Sequence, residues 1–284
     1  MKGNNVQQSF LSNKDALRAY AEVFAFLGNS LLSPVSQTPT VGLDPSFWEE
    51  FPTFDSAKVQ EEVVGLIDWS KALTQSHSQS NSEHSLEFNS GQNFNSNYEH
   101  DLEGNFEQNF DSSYESVSQS DAGNTLDPVT ALSVEYTRLF IGPPSPAAAP
   151  WETFYRNEEV TSGFGHATIE MRDALRSAGL QVSNKNNQYE DHIGIELLYV
   201  SHLCSSTQQF ESNVQNVQSL ADEAPSLHEG LSGKDIDFIK VHPLSWIEKL
   251  QEKVRLSASQ SYYDHLLGLS KALLESLLEA VTAK

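Results

Sequence analysis

Apolar residues recur at intervals of three and four along both ends of this chain. The spacing is clearest in Leu17, Tyr20, Phe24, Leu27 and Leu31, and again in Val59, Val63, Leu66, Ile67 and Leu73. Residues spaced in this way lie on one face of a helix. No segment shows the strict alternation that is typical of a half-buried strand. The pattern therefore predicts an all-α fold, in which helices bury their apolar faces in a single helical bundle.

Further helices are predicted in the second half of the chain. Proline in the first turn at Asp127–Pro128 is a helix-start signal, and another helix is expected from about Thr161 to Ser177. The segment from Asp191 to Leu203 is apolar almost all round, which is typical of a central, buried helix. The remaining expected helices lie near residues 206–222, 234–240, 243–256 and 262–281.

A strongly acidic window interrupts the helical pattern. Between Ala72 and Thr137 there are 11 Asp and Glu but no Lys or Arg, so the window carries half of the net charge of −22. It contains a duplication with a spacing of 16 residues, in which NFNSNYE at 93–99 recurs as NFDSSYE at 109–115. Two polar copies are too few to build a solenoid. We expect a solvated, disordered insertion, although an acidic arm that recruits a basic peptide is an alternative.

These features divide the chain into five segments. We predict N-terminal helices over 1–75, the acidic low-complexity insertion over 76–124, central helices over 125–182, a hinge or connector over 183–190, and C-terminal helices of the same bundle over 191–284. A helical bundle with a polar hinge can exchange elements between protomers. Both a monomer and a domain-swapped dimer are therefore open.

Composition excludes several classes of function. Nucleic acid is a poor partner for a chain with a net charge of −22, because phosphate binding needs a basic patch. A cationic partner is favoured instead. The single cysteine, Cys204, precludes an intramolecular disulfide. The N-terminus lacks the apolar core of a secretory signal, and no run of 18 apolar residues could span a membrane. We therefore expect a cytoplasmic protein.

The most informative local stretch runs from Glu135 to Tyr155. An amphipathic segment ends at Gly142–Pro143, where glycine permits unusual backbone angles and proline fixes φ. A Pro/Ala connection follows and leads to Trp151 and Tyr155, which could belong equally to the core or to the rim of a groove. The stretch has no nucleophile–base pair at a recognised spacing, so it suits the wall of a binding groove, and no catalytic residue is predicted.

The best polar cluster comprises Glu190, Asp191, His192 and Glu196. His192 and Glu196 share a helix face, but they supply two metal ligands without an obvious third. Glu190 and Asp191 could cap a helix N-terminus. They could also face a groove and hold a guanidinium bidentately. Capping, alone or combined with ligand contact, is favoured over a metal site, and no metal or cofactor is predicted.

These residues together resemble the TorD/DmsD family of chaperones for molybdoenzymes that are exported by the twin-arginine route, and the similarity is nearest to the DmsD branch. The resemblance rests on YTRLFIGP at 136–143, on APW at 149–151 and on EDH at 190–192. HPLSW at 242–246 and YYDHLLGL at 262–269 look like later family elements. The resemblance covers approximately residues 127–282 and, more loosely, the first helix.

The resemblance implies an all-helical fold and a cytoplasmic chaperone that performs no reaction. Such a chaperone binds the twin-arginine leader and the apo form of a molybdoenzyme catalytic subunit of the dimethyl sulfoxide or trimethylamine N-oxide reductase type. It assists cofactor insertion and prevents premature export. With Tyr155 and Glu190 added from the local reasoning, the predicted peptide-binding residues are Tyr136, Leu139, Phe140, Gly142, Pro143, Pro150, Trp151, Tyr155, Glu190, Asp191 and His192.

Some positions depart from the family pattern. Gln188–Tyr189 replace a Glu-Pro pair, Pro144 replaces a tryptophan, and the acidic insertion has no recognised counterpart. Two alternative functions follow from the residues alone. One is a helical adaptor for another basic partner. The other is a metal-dependent hydrolase at Glu190, Asp191, His192 and Glu196, or a nucleotide hydrolase, although no phosphate cradle is visible.

Overall fold

The computed structural model describes residues 13–83, 126–156, 163–182, 188–214 and 230–282. Side chains are described for the same ranges except 13–14, 76–83 and 207–214. Most of the predicted acidic insertion and residues 183–187 of the predicted hinge therefore lie outside the described residues. The chain divides into one unit of residues 1–73 and 127–284 and a second of residues 74–126. Of the second unit, the structure describes only the end of one helix, to Glu83, and Leu126.

The described residues form ten α-helices. They are α1 (Asn13–Leu32), α2 (Pro45–Glu49), α3 (Ala57–Glu83), α4 (Pro128–Tyr136), α5 (Thr153–Arg156), α6 (His166–Ser177), α7 (Ile193–Val214), α8 (Gly233–Val241), α9 (Pro243–Ala258) and α10 (Tyr262–Thr282). A π-helical turn, Thr137–Ile141, continues α4. In the described part of the chain, β-type pairing is limited to one isolated antiparallel bridge, between Trp151 and His192. The predicted all-α fold is confirmed.

Some helix boundaries differ from the prediction. Instead of ending near Leu203, α7 continues without a break to Val214. The separate helix expected near residues 206–222 is therefore the continuation of α7 as far as Val214, and residues 215–222 lie outside the described residues. The hydroxyls of two serines in this part bond back to helix carbonyls, Ser205 Oγ to Ser201 and Ser206 Oγ to Leu203. The described part of α6 begins at His166, whereas the expected start at Thr161 lies outside the described residues.

Two short helices were not predicted. In α2, Asp44 accepts a hydrogen bond from Ser46 N, and Pro45 occupies the first turn. These are helix-start signals, but the helix is too short to show an apolar period. The other, α5, directly follows Glu152, and its first backbone N–H donates to a residue 38 positions later in the sequence. Because the cap comes from a residue so far along the chain, the sequence next to α5 carries no capping signal.

The closest helix contact joins α1 to α7 through two glycines. A Cβ placed on Gly194 would lie 2.6 Å from the Gly28 carbonyl oxygen, and one placed on Gly28 would lie 2.8 Å from the Gly194 oxygen. The two backbones therefore touch, and no larger residue fits at either position. Because α7 begins at the bridge between Trp151 and His192, this contact fixes the bridge relative to the bundle.

An aromatic cluster anchors the turn at Gly142. The rings of Tyr136 and Phe140 both pack edge-on against Tyr263 of α10. Gly142 has a φ of 96°, which is readily available only to glycine, and its N–H donates to the Thr137 carbonyl. The chain then folds back on itself. This packing sets the direction in which the Pro/Ala connection leaves for Trp151.

Among the residues described, no helix has both the length and the apolar character needed to cross a lipid bilayer.

We expect Gly194→Ala to lower the free energy of unfolding by about 1–3 kcal/mol, because a methyl group at a packed contact forces neighbouring atoms apart. Urea denaturation should show the loss as a lower midpoint. Gly233→Ala is the matched control, since a Cβ at Gly233 in α8 has no neighbour within 4 Å. Equal stability of the two variants would contradict the close α1–α7 contact.

Candidate functional site

The backbone joins the two segments that carry the most specific motifs. Trp151 and His192 form the antiparallel bridge. Glu152 N donates to the Asp191 carbonyl at 3.0 Å, and Ile193 N donates to the Pro150 carbonyl at 2.9 Å. Pro150, Trp151, Asp191 and His192, which were predicted from separate parts of the sequence, therefore lie side by side.

Asp191 is fully buried and acts as a cap for α5. Its Oδ2 accepts hydrogen bonds from Thr153 N at 2.9 Å and from Thr153 Oγ1 at 2.6 Å. Its Oδ1 accepts from Thr168 Oγ1 of α6 at 2.9 Å. Burial raises the pKa of Asp191, and the hydrogen bonds from Thr153 and Thr168 oppose this rise. The carboxylate ties α5, α6 and the start of α7 together and does not face solvent.

Glu190 lies nearer the surface and already holds a guanidinium. Arg172 of α6 donates from Nε to Glu190 Oε1 at 2.7 Å and from Nη2 to Oε2 at 2.9 Å. This is the bidentate geometry that selects arginine over lysine. The hydrogen bonds from Arg172 are the main cause of the lowered pKa of Glu190. Both oxygens of Glu190 are therefore paired with an arginine of the same chain.

An aromatic patch, defined as Trp151, Phe154, Phe164 and Tyr189, lies beside this pair. Trp151 is 6.0 Å from Phe154 and 6.3 Å from Tyr189 between ring centroids, and Phe164 is 5.8 Å from Tyr189. Phe164 and Tyr189 are 42% and 40% exposed, so the patch reaches solvent. The guanidinium of Arg172 lies 5.7 Å from the centroid of the Phe164 ring. The buried Trp151 Nε1 has no hydrogen-bond partner among the described residues.

His192 is buried behind the patch. Its ring meets that of Trp151 edge-on at 6.1 Å. Gly194 N donates to His192 Nδ1 at 3.0 Å, so the neutral ring carries its proton on Nε2. That nitrogen has no partner among the described residues. Burial lowers the pKa of His192 to about 3, which keeps the ring uncharged at neutral pH.

The other predicted site residues divide between core and surface. Tyr136, Leu139 and Phe140 are core residues that support the Gly142 turn. Pro143 is exposed, while Gly142 and Pro150 are buried. Tyr155 is half-buried and stacks on Trp246. Of the predicted set, therefore, Pro143, Trp151, Tyr155 and Glu190 are the residues with appreciable access to solvent.

An apolar groove extends from the Glu190–Arg172 pair. A cavity of about 390 Å³ is lined by this pair and by Leu175, Arg176, Leu180, Gln181 and Val182. A second cavity, of about 210 Å³, shares four of these residues and continues to Leu32, Ile195, Leu198 and Tyr199. One end of the groove is charged and the other is apolar.

A second polar network was missed by the sequence reasoning. Glu152 and Glu196 are both fully buried, and His242 Nδ1 lies 2.9 Å from Glu152 Oε2. Trp246 Nε1 donates to Glu196 Oε2 at 3.0 Å. The group of potential metal ligands that contains Glu196 therefore consists of Glu152, Glu196 and His242. The predicted grouping of Glu196 with Glu190, Asp191 and His192 is not found. The contact between Glu152 and His242 spans 90 residues of sequence, so no local spacing could reveal it.

Burial raises the pKa of Glu196 well above its usual range, and the nearby Glu152 carboxylate adds to this rise. Arg156 Nε donates to Glu152 Oε1 at 2.6 Å, and Arg156 also pairs with Glu170.

Arg172 and Phe164 were also missed as site residues by the sequence reasoning. Nothing in their local sequence distinguishes them from an ordinary helix-surface arginine and a loop phenylalanine.

We predict a specific pH dependence for His192. An unfolded chain binds a proton at this residue near its ordinary pKa of 6.5, whereas the folded chain resists protonation until about 3. Stability should therefore fall as the pH drops from 6.5. Relative to His192→Asn, wild type should lose about 1.5 kcal/mol more between pH 6.5 and 5. Urea unfolding across this range measures the difference, and parallel pH profiles would contradict the buried neutral ring.

Comparison with known proteins identifies the family. A family model described as "Nitrate reductase delta subunit" matches residues 103–252, more than half of the chain. Chaperone protein TorD of Vibrio cholerae serotype O1 is 30% identical over 122 residues, which cover 43% of this chain and 49% of that protein. Tat proofreading chaperone DmsD of Salmonella typhi is 32% identical over 81 residues, covering 28% and 39%.

Chaperone protein TorD of Shewanella pealeana is 22% identical over 159 residues, covering 54% of this chain and 62% of that protein. The chain spans about half the length of the curated relatives it matches. These relatives are named as chaperones and not as enzymes, in agreement with the expectation of a non-enzymatic protein. Together with the all-helical architecture, the matches show that this chain belongs to the nitrate reductase delta subunit family, the TorD/DmsD family of chaperones.

Proposed function

We propose that this protein is a cytoplasmic chaperone that binds the twin-arginine leader of a molybdoenzyme catalytic subunit in its apo form. The client is of the dimethyl sulfoxide or trimethylamine N-oxide reductase type. The protein holds the client for cofactor insertion and delays its export. The cycle consists of binding and release, and no covalent step is needed.

The observation that carries this proposal is the bidentate Glu190–Arg172 pair next to the aromatic patch. Glu190 already receives both Nε and Nη2 of an arginine, so its two oxygens are oriented for a guanidinium. An arginine of the leader replaces Arg172 at this carboxylate or shares it. The side chain of Glu190 is 18% exposed, so an incoming guanidinium can reach it without unfolding the site.

A leader also carries an apolar stretch, which needs a complementary surface. Two such surfaces flank Glu190. The aromatic patch lies on one side through Tyr189, and the apolar groove continues through Leu180 and Val182 to Leu198. Burying apolar side chains contributes about 25 cal/mol per Å². We assign the rings of Trp151 and Tyr155 to this region as well, and the buried members of the predicted set act by supporting it.

The charge of the whole chain favours the same class of partner. A net charge of −22 attracts a cationic peptide and accelerates its encounter at low ionic strength. This long-range field does not distinguish arginine from lysine. Discrimination between them must come from a site with fixed geometry, such as Glu190.

Binding of a synthetic peptide with two consecutive arginines followed by an apolar stretch tests the proposal. Isothermal titration calorimetry should give saturable binding. Changing both arginines to lysines should weaken it about tenfold or more, because the charge is kept but the fork-like hydrogen bonding is lost. No loss on this change would contradict a specific guanidinium site.

Variants of the protein test the assignment of Glu190. Glu190→Gln should weaken peptide binding about 10- to 100-fold, since hydrogen bonds to charged groups contribute about 1.5–3 kcal/mol. Glu252→Gln is the matched control, because Glu252 is an exposed acid on α9, outside the patch and the groove lining, and its change alters the net charge equally. Arg172→Gln should strengthen binding by removing the internal competitor. Equal effects of Glu190→Gln and Glu252→Gln would show that only the general field matters.

The aromatic patch is tested in the same assay. Phe164→Ala should weaken binding of the peptide and should have a smaller effect on a peptide whose apolar stretch is replaced by serines. Leu256→Ala is the control, because Leu256 is 85% exposed on α9 and lies outside the patch and the groove lining. A Phe164→Ala variant that binds both peptides as wild type does would remove the patch from the binding surface.

A further inference from the structure

Three potential metal ligands converge in the interior, apart from the proposed leader site. One ligand atom each of Glu152, Glu196 and His242 lies within 4.8 Å of the other two. We call these three residues the carboxylate–histidine cluster. Glu152 directly precedes α5, Glu196 lies in α7, and His242 directly precedes α9. Three separate parts of the bundle therefore meet at this point.

Both carboxylates of the cluster are fully buried, and His242 is 8% exposed. Two carboxylates this close repel each other in an interior that excludes water. The nearest cation, Arg156, is shared with a third acid, Glu170.

Two of the three converging atoms are hydrogen-bonded to each other, and the third is unpaired. Arg156 donates to Oε1 of Glu152, and Trp246 donates to Oε2 of Glu196. Oε2 of Glu152 and Nδ1 of His242 share a hydrogen bond at 2.9 Å, which an ion bound between them would replace. Oε1 of Glu196 is buried and receives no hydrogen bond from any donor among the described residues. This oxygen lies close to Glu152 and His242, so an unpaired carboxyl oxygen stands next to two further potential ligand atoms.

We propose that the carboxylate–histidine cluster binds a divalent transition metal ion, with Zn²⁺ as the best match. Its ligands are Glu152 Oε2, Glu196 Oε1 and His242 Nδ1, and water completes the coordination. One imidazole and two carboxylates form a donor set that suits Zn²⁺. Ligands about 2.0–2.1 Å from a tetrahedral ion lie about 3.3 Å apart, so the cluster closes around the ion with small side-chain shifts.

The outer hydrogen bonds fit a metal site as well. Ligating carboxylates are normally held by second partners that fix their orientation. Arg156 holds Glu152 in this way, and Trp246 holds Glu196 through its indole N–H. Arg156 Nη2 lies 3.4 Å from His242 Nδ1. This contact is lost when the ion takes the Nδ1 position, while Arg156 Nε stays on Glu152 Oε1.

The ion has a structural role. It links the segment that carries Trp151 and Asp191 to α7 and α9, and it performs no reaction. A structural ion that binds the folded state alone adds its binding free energy to stability. The site does not depend on the proposed leader function, because none of its ligands belongs to the aromatic patch, to Glu190 or to the groove lining.

The test begins with full-length protein stripped of metal by a chelator and dialysed. Addition of Zn²⁺ should raise the melting temperature and should saturate at one ion per chain, as measured by elemental analysis after desalting. Co²⁺ should give the visible absorption of a low-symmetry, four- or five-coordinate site, and Zn²⁺ should displace it. Absence of a stoichiometric ion and of a Co²⁺ spectrum in wild type would overturn the proposal and leave a shared proton as the link between the carboxylates.

Variants assign the ligands. Glu196→Gln removes the charge but keeps an oxygen that can accept from Trp246, and it should lower Zn²⁺ affinity at least 100-fold. His242→Gln should abolish the Co²⁺ spectrum. His166→Gln is the control, because the His166 side chain is 81% exposed, and it should bind one ion as wild type does. If Zn²⁺ binding survives in Glu196→Gln and His242→Gln, or is lost in His166→Gln, the ion binds elsewhere and the assignment is wrong.

Discussion

The buried carboxylate of Asp191 is the interaction on which the site depends. Its side chain caps α5 and binds Thr168 of α6, while its backbone carbonyl accepts from Glu152. Without this carboxylate, the N-terminal N–H of α5 would lose its cap in a buried environment, and an unpaired buried polar group costs about 1–3 kcal/mol. The positions of Trp151, Glu152 and Glu190 follow from this one anchor, because they are its neighbours along the chain or across the bridge.

Most of the motif residues therefore support the site from the interior, and few of them lie on its surface. Tyr136, Phe140 and Asp191 are buried and hold backbone segments in place. The groups that reach solvent beside them, such as Phe164 and Arg172, come from neighbouring elements that carry no motif. A binding surface made in this way can change its exposed contacts while the buried frame stays the same.

The sequence was sufficient to predict the helices that have a strongly apolar face or segment. The helices α1 and α3 could be predicted because a buried face repeats every three or four residues, and the first part of α7 because it is apolar almost all round. The short helix α5 could not, since its cap comes from Asp191. Asp191 was expected to cap the helix that begins beside it, whereas its carboxylate caps α5, 38 residues earlier in the sequence. Glu190 was singled out from its motif. Its pairing with Arg172 and the convergence of Glu152, Glu196 and His242 have no local sequence signal, because both arise from tertiary packing.

Next to the bridge between Trp151 and His192, neighbouring residues face two different environments, the surface and the buried interior. In extended backbone, successive side chains point to opposite sides, and here Trp151 faces the aromatic patch while Glu152 faces the buried cluster. On the other segment, Glu190 is near the surface and Asp191 is internal. In the proposed function, a peptide that contacts Trp151 or Glu190 would therefore contact residues that directly precede members of the internal network in the sequence. Because that network links α5, α6, α7 and α9, the rigidity of the interior determines how precisely the outer carboxylate is presented to a guanidinium.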